Sequence, residues 1–195
     1  MKKNINLYLS YYLIILFLFA IFFLYQKHDV ANDSTISEWL INYEGGFTKR
    51  GLIGQISFYI ANLISADLRD TIFAFQVLTV GIYFLLIYYF LKNIEFNKVL
   101  IFAIFTPIFI LYPIAEIEVL ARKELFVFIY FLVYIFIPLR KKNYKFFYKL
   151  IFFPIVILIW EPVVFFVLFL FFLDLAENKI NKINKLFFVQ ILSYT

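Results

Sequence analysis

Apolar and polar stretches alternate along this chain at the spacing of membrane-crossing helices. After Lys2 and Lys3, residues Ile5 to Tyr25 are almost wholly apolar. A polar segment, Gln26 to Asp70, separates them from a second apolar run, Thr71 to Leu91. Further runs cover Val99 to Ala115, Leu125 to Leu139 and Leu150 to Leu173, and a last one starts at Leu186. Between them lie the polar loops Lys92–Lys98, Glu116–Glu124, Arg140–Lys149 and Asp174–Lys185. Runs of about 20 apolar residues match the hydrocarbon core of a bilayer. Backbone in lipid must satisfy its own hydrogen bonds, so such runs are helices. The alternation that marks the strands of a membrane barrel is missing. The expected fold is all-α: a polytopic helical integral membrane protein with five spans and the start of a sixth, one membrane domain over residues 1–195. The first run is too long for a signal-peptide core and has no small-residue cleavage site, so it is expected to remain as an anchor. The last run is too short to cross at Thr195, so the chain reads as part of a longer protein.

The polar segment 26–70 has a pattern of its own. From Leu52 to Ser65, Leu52, Ile53, Ile56, Ile60, Leu63 and Ile64 share one helical face, and Gly54, Gln55, Ala61, Asn62 and Ser65 the other. An amphipathic helix of that kind lies in the membrane interface. Upstream, Asp33 and Ser34 are placed to cap a short helix through Ser37–Ile41, with Trp39 expected at headgroup level. Near the other end, Trp160-Glu161-Pro162 interrupts the fifth run. Pro162 removes a backbone hydrogen bond and kinks the helix. The favoured expectation is one kinked span; the alternative is a re-entrant helix.

Composition narrows the chemistry. Hydrophobic residues make up 65% of the chain and Phe alone numbers 29, more apolar surface than a soluble fold of this size hides. There is no Cys and one His, His28, which excludes disulfides, thiol catalysis and multi-histidine metal sites. No metal and no cofactor is expected. The net charge of +5 is spread over short loops, so no nucleic-acid partner is expected. Charge does set an orientation. With the N-terminus in the cytoplasm, the cytoplasmic segments Met1–Asn4, Lys92–Lys98 and Arg140–Lys149 carry nine cations and one acid. The loops 26–70 and 116–124 then carry six cations and nine acids.

Candidate chemistry concentrates in those two outer loops. Four of the five glycines fall in Gly45–Gly54 (GGFTKRGLIG), around the pair Lys49–Arg50. Glycine lets backbone approach a ligand closely, and two cations on such a loop suit a phosphate. The plainer reading is a turn into the interfacial helix, with the cations among lipid headgroups. The acids Asp29 and Asp33 leave the first span near the same depth. In the second loop, Glu116, Glu118, Arg122 and Lys123 stand at the mouth of the fourth span, with Glu118 and Arg122 spaced for a helical ion pair. Glu161 falls mid-span, where a carboxylate is costly unless paired, protonated or facing water.

GGFTKRGLIG followed by ARKE resembles a pattern in polytopic bacterial inner-membrane proteins of surface-polysaccharide clusters. These are the O-antigen or repeat-unit polymerases and related membrane glycosyltransferases that use polyprenyl-phosphate sugars. The layout is similar to the GT-C membrane glycosyltransferase fold. The resemblance implies an inner-membrane enzyme acting on a polyprenyl-linked glycan at the outer face, among membrane lipids and membrane-complex partners. It implies that Asp29 or Asp33 activates the acceptor, that Glu116 or Glu118 is a second acid, and that Lys49, Arg50, Arg122 and Lys123 hold phosphate. The chain departs from that pattern in its short length and in lacking an adjacent acidic pair after the first span. Two other readings stand beside it. A transporter or flippase would use Glu161 and the Pro-broken helix; a non-catalytic membrane subunit or truncated remnant would use neither.

Overall fold

A computed structural model describes residues 2–28, 30, 34–106, 119–138 and 142–178. Among these the chain is all-helical, with no strand. The helices are α1 (Lys2–His28), α2 (Ser34–Leu40), α3 (Leu52–Ile64), α4 (Leu68–Lys92), α5 (Lys98–Phe105), α6 (Glu124–Phe136), α7 (Lys142–Ile159) and α8 (Val167–Asn178). A 3-10 turn, Glu161–Phe166, joins the last two.

Two stretches, Ile5–His28 in α1 and Leu68–Lys92 in α4, are long and apolar enough to cross a membrane. They carry the indication that this is a membrane-associated protein. The five-span expectation is met only this far among the described residues. α6 has 13 residues, a rise of about 20 Å against a core of about 30 Å. α7 begins with Lys142, Lys145 and Lys149, which shorten its apolar part. Most of the expected third span, and the start of a sixth, lie outside the described residues.

α1 and α4 run antiparallel and make the most extensive helix pair. Leu9, Leu13, Ala20 and Leu24 of α1 meet Val80, Tyr83, Phe84, Ile87 and Leu91 of α4 in one buried cluster. Their other faces stay open, with Tyr8, Leu18, Phe22 and Leu85 each more than half exposed. Polar contacts close one end. His28 Nε2 lies 2.9 Å from Asp70 Oδ1, and Arg69 donates to the Val30 carbonyl at 3.0 Å. Asp67 caps α4, its Oδ1 accepting from the Arg69 N–H at 2.7 Å.

α3 is amphipathic as expected, but its faces divide differently. Gly54, Gln55, Ser57 and Ala61 are buried, together with Ile53, whereas Ile56, Tyr59, Leu63 and Ile64 are exposed. Gly54, Gln55 and Ala61 of the small and polar face pack inward, while Ile56, Leu63 and Ile64, half of the apolar face, point out. That arrangement reverses a soluble surface helix and fits one that meets lipid, where small residues let helices approach closely. Gly54 shows why: a Cβ there would fall 2.0 Å from the Ile41 carbonyl oxygen and 2.6 Å from that of Trp39.

The fifth apolar run does not form one kinked span. α7 ends at Ile159, and Trp160 takes an extended conformation (φ −150°, ψ 95°). The following turn folds back on the α6–α7 pair. Phe166 packs against Phe131 and Trp160, and Val163 and Leu170 share a cluster with Tyr130, Tyr134 and Phe153. The reason is local: Pro162 has no amide N–H to donate the hydrogen bond that would carry the helix on past Glu161. α7 is pinned to α6 by the Tyr148 hydroxyl, which donates to the Tyr130 carbonyl at 3.0 Å. Ile159 then comes to rest beside Trp39, Ile53 and Ile72. That contact brings Glu161 to the end of the bundle where α2 and α3 meet α4.

Candidate functional site

The site is a charged junction built at that end. Its frame is Trp39, fully buried at the end of α2. The indole N–H donates to the Ala121 carbonyl at 2.9 Å, and its ring lies 5.6 Å from that of Phe126. Trp39 is thus a buried core contact that ties the first polar loop to the second. The second loop meets it in an unusual backbone conformation, with Ala121 at φ 55°.

The first loop is held from α3. Gln55 Oε1 accepts from the Tyr43 N–H at 2.7 Å, and Gln55 Nε2 donates to Glu44 Oε1 at 3.1 Å. Gly51 lies against the Tyr43 ring, where a Cβ would come within 2.2 Å. Arg50 precedes it in the left-handed region (φ 68°), which costs a non-glycine residue about 1–2 kcal/mol. Its carbonyl accepts a hydrogen bond from the Lys123 ammonium. The loop's glycines thus serve close packing and a strained turn, and the strain lands on a cation.

Four ion pairs follow among the described residues. Arg50 Nη2 donates to Glu161 Oε1 at 3.2 Å, with Lys49 Nζ 3.8 Å from Oε2. Arg122 Nη2 donates to Glu38 Oε1 at 2.8 Å and lies 3.3 Å from Glu124 Oε1. Lys123 is 1% exposed. Burial pushes its ammonium from the ordinary 10.5 down to about 8; the Glu38 carboxylate raises it, and the Arg50 guanidinium lowers it further. Among the described residues, buried oxygens of Glu38, Glu124 and Glu161 (Oε2 in each) make no hydrogen bond. The described residues gather no set of three or more His, Asp or Glu side chains fit to hold a metal.

The structure therefore brings Lys49, Arg50, Arg122, Lys123 and Glu161 into one cluster. Asp29, Asp33, Glu116 and Glu118 lie outside the described residues. The Glu118–Arg122 pairing falls there too; among the described residues Arg122 reaches Glu38 and Glu124. Lys123 is too deep to meet an outside ligand in this conformation and acts on Arg50 through its carbonyl. Lys49, 80% exposed, and Arg50, 33% exposed, remain open to one. Sequence reasoning found no role for Glu38, Glu124 or Gln55. Glu124 has its partner Arg122 two positions back, but nothing local marks Glu38, whose partner stands 84 positions away. Comparison with protein-family models, with curated proteins and with solved structures finds no match.

Proposed function

We propose that this protein is a multi-pass inner-membrane component of surface-glycan assembly, with its N-terminus in the cytoplasm. It transfers or polymerises sugars from a polyprenyl-phosphate-linked carrier at the outer face, and the charged junction is its phosphate seat. One observation carries the reading. The two segments that resemble the family, GGFTKRGLIG and ARKE, meet through the Lys123–Arg50 hydrogen bond and present Arg50 and Lys49 together at an accessible rim. Cations preorganised at a fixed place stabilise the negative charge that develops on a leaving phosphate. In the step proposed, a carboxylate from Asp29, Asp33, Glu116 or Glu118 takes the proton of the acceptor hydroxyl. That oxygen forms the new bond to the sugar's anomeric carbon as the bond to the phosphate oxygen breaks. The released lipid phosphate stays on Arg50 and Lys49.

The pairing of Glu161 with Arg50 at the junction supports this reading over a transporter. The test is Arg50→Ala in cells. Glycan chains stop extending while the protein stays inserted at normal abundance. Chains of normal length would overturn the proposal.

A further inference from the structure

The Arg50–Glu161 contact pairs a cation on a held stretch of backbone with a loosely bonded acid. Arg50 is held by its neighbours: Lys123 on its carbonyl and Gly51 seated on the Tyr43 ring. Glu161 sits just past an extended residue, Trp160, at the start of a 3-10 turn whose N-cap has no side-chain hydrogen bond. Its contacts are also loose. The separations of 3.2 Å from Arg50 and 3.8 Å from Lys49 exceed the roughly 2.7–2.9 Å of a well-made charge-assisted hydrogen bond. Glu161 Oε2 makes no hydrogen bond among the described residues. Both partners are about a third exposed, at 33% and 35%, so solvent reaches the contact and weakens it.

We propose that Glu161 is an internal stand-in for the ligand's phosphate: it fills the Arg50–Lys49 seat in the empty protein and is displaced when a phosphomonoester or diphosphate enters. This rests on the phosphate-seat reading above. A phosphomonoester brings nearly two charges and three acceptor oxygens against one charge and two oxygens on Glu161. It can satisfy both cations at close range, which the carboxylate at its present distances does not. Phosphodiester headgroups carry one charge and compete on nearly equal terms with Glu161. Every entering ligand must remove the same carboxylate, so the stand-in lowers the apparent affinity of all of them by one common factor. Headgroups, which are weak and abundant, are thereby held off, while a tighter dianionic ligand still binds.

The test measures binding to the full chain in detergent micelles, with farnesyl phosphate as the monoester and dioctanoyl phosphatidylglycerol as the diester. The variants are Arg50→Ala, Glu161→Gln and Glu161→Asp. Both Glu161 variants are expected to tighten both probes alike, by about two- to fivefold, the range of a partly exposed ion pair. Glu161→Asp keeps the charge but is one methylene short of the seat, and so reads the effect if the neutral variant does not fold. Arg50→Ala is expected to lose farnesyl phosphate binding. Two results overturn the stand-in and leave the seat: a gain confined to one probe, or no gain in either Glu161 variant while Arg50→Ala stays defective. Farnesyl phosphate binding that is indifferent to Arg50→Ala overturns the seat itself.

Discussion

The α1–α4 pair and the charged junction are built on opposite terms. The pair is long, apolar and redundant. Its contact runs along four or five residues on each helix, and much of the remaining surface is open. If lipid covers that surface, no hydrophobic force drives the two helices together, and their association depends on packing. The junction is short and depends on single atoms: the Trp39 N–H on the Ala121 carbonyl, the absent Cβ of Gly54, the Lys123 ammonium on Arg50. A region made of many equivalent contacts tolerates change, whereas one made of unique contacts does not, and this is where the ionisable side chains collect.

Substitutions at the junction should therefore cost far more than substitutions along the pair. Gly54→Ala is expected to be the most damaging. Its methyl would meet backbone oxygens, which cannot swing aside, so about 3 kcal/mol of stability should be lost. A thermal midpoint in detergent within a degree or two of the parent would break the contrast. Trp39→Phe keeps most of the ring and removes the donor to Ala121. It should cost about 1–2 kcal/mol and raise the protease sensitivity of the two polar loops.

Lys123 gives the junction a pH signature that the apolar pair lacks. Its folded value of about 8 lies below the ordinary 10.5, so the folded protein gives up this proton more readily than the unfolded chain. The cost of holding the charge is fully present below pH 8 and is relieved as pH rises toward 10.5. Stability should thus rise by about 1 kcal/mol between pH 7 and pH 9 relative to Lys123→Met, which has no such proton. Chemical denaturation of both proteins at the two pH values checks the sign; a parallel dependence would remove Lys123 as the cause.

Arg50→Gly separates stability from binding. Relief of the left-handed strain offsets the lost ion pair, so stability should stay within about 1 kcal/mol of the parent while phosphate binding disappears. The smallest effect is expected on the outer face of the pair. Leu18, 60% exposed, should tolerate Ala at a cost under about 0.5 kcal/mol. A larger loss there would mean that another protein surface covers this face of α1.

Much of the helical order was legible in the pattern of apolar residues. α1 and α4 appear within a few residues of the expected spans Ile5–Tyr25 and Thr71–Leu91, because a long uncharged run has few alternatives to a helix. The fifth run was legible only as interrupted. Pro162 announces a break, but its direction depends on Phe131, Tyr130 and Tyr134, which no local pattern connects to Val163 and Phe166. The burial of Trp39 was hidden for a related reason: only the arrival of Ala121 and Phe126 encloses it, and no local pattern connects them to it.

By itself, then, the sequence determined that the chain is helical, where its two long apolar helices lie, and which loops concentrate cations and glycines. These properties follow from composition and short-range periodicity, which the backbone obeys residue by residue. The tertiary structure alone decided that Lys49, Arg50, Arg122, Lys123 and Glu161 share one junction, that Lys123 supports Arg50 from beneath, and that α3 turns its small residues inward. The junction depends on contacts between residues 73 to 112 positions apart. Such contacts exist only once helix packing has brought the loops to the same end of the bundle.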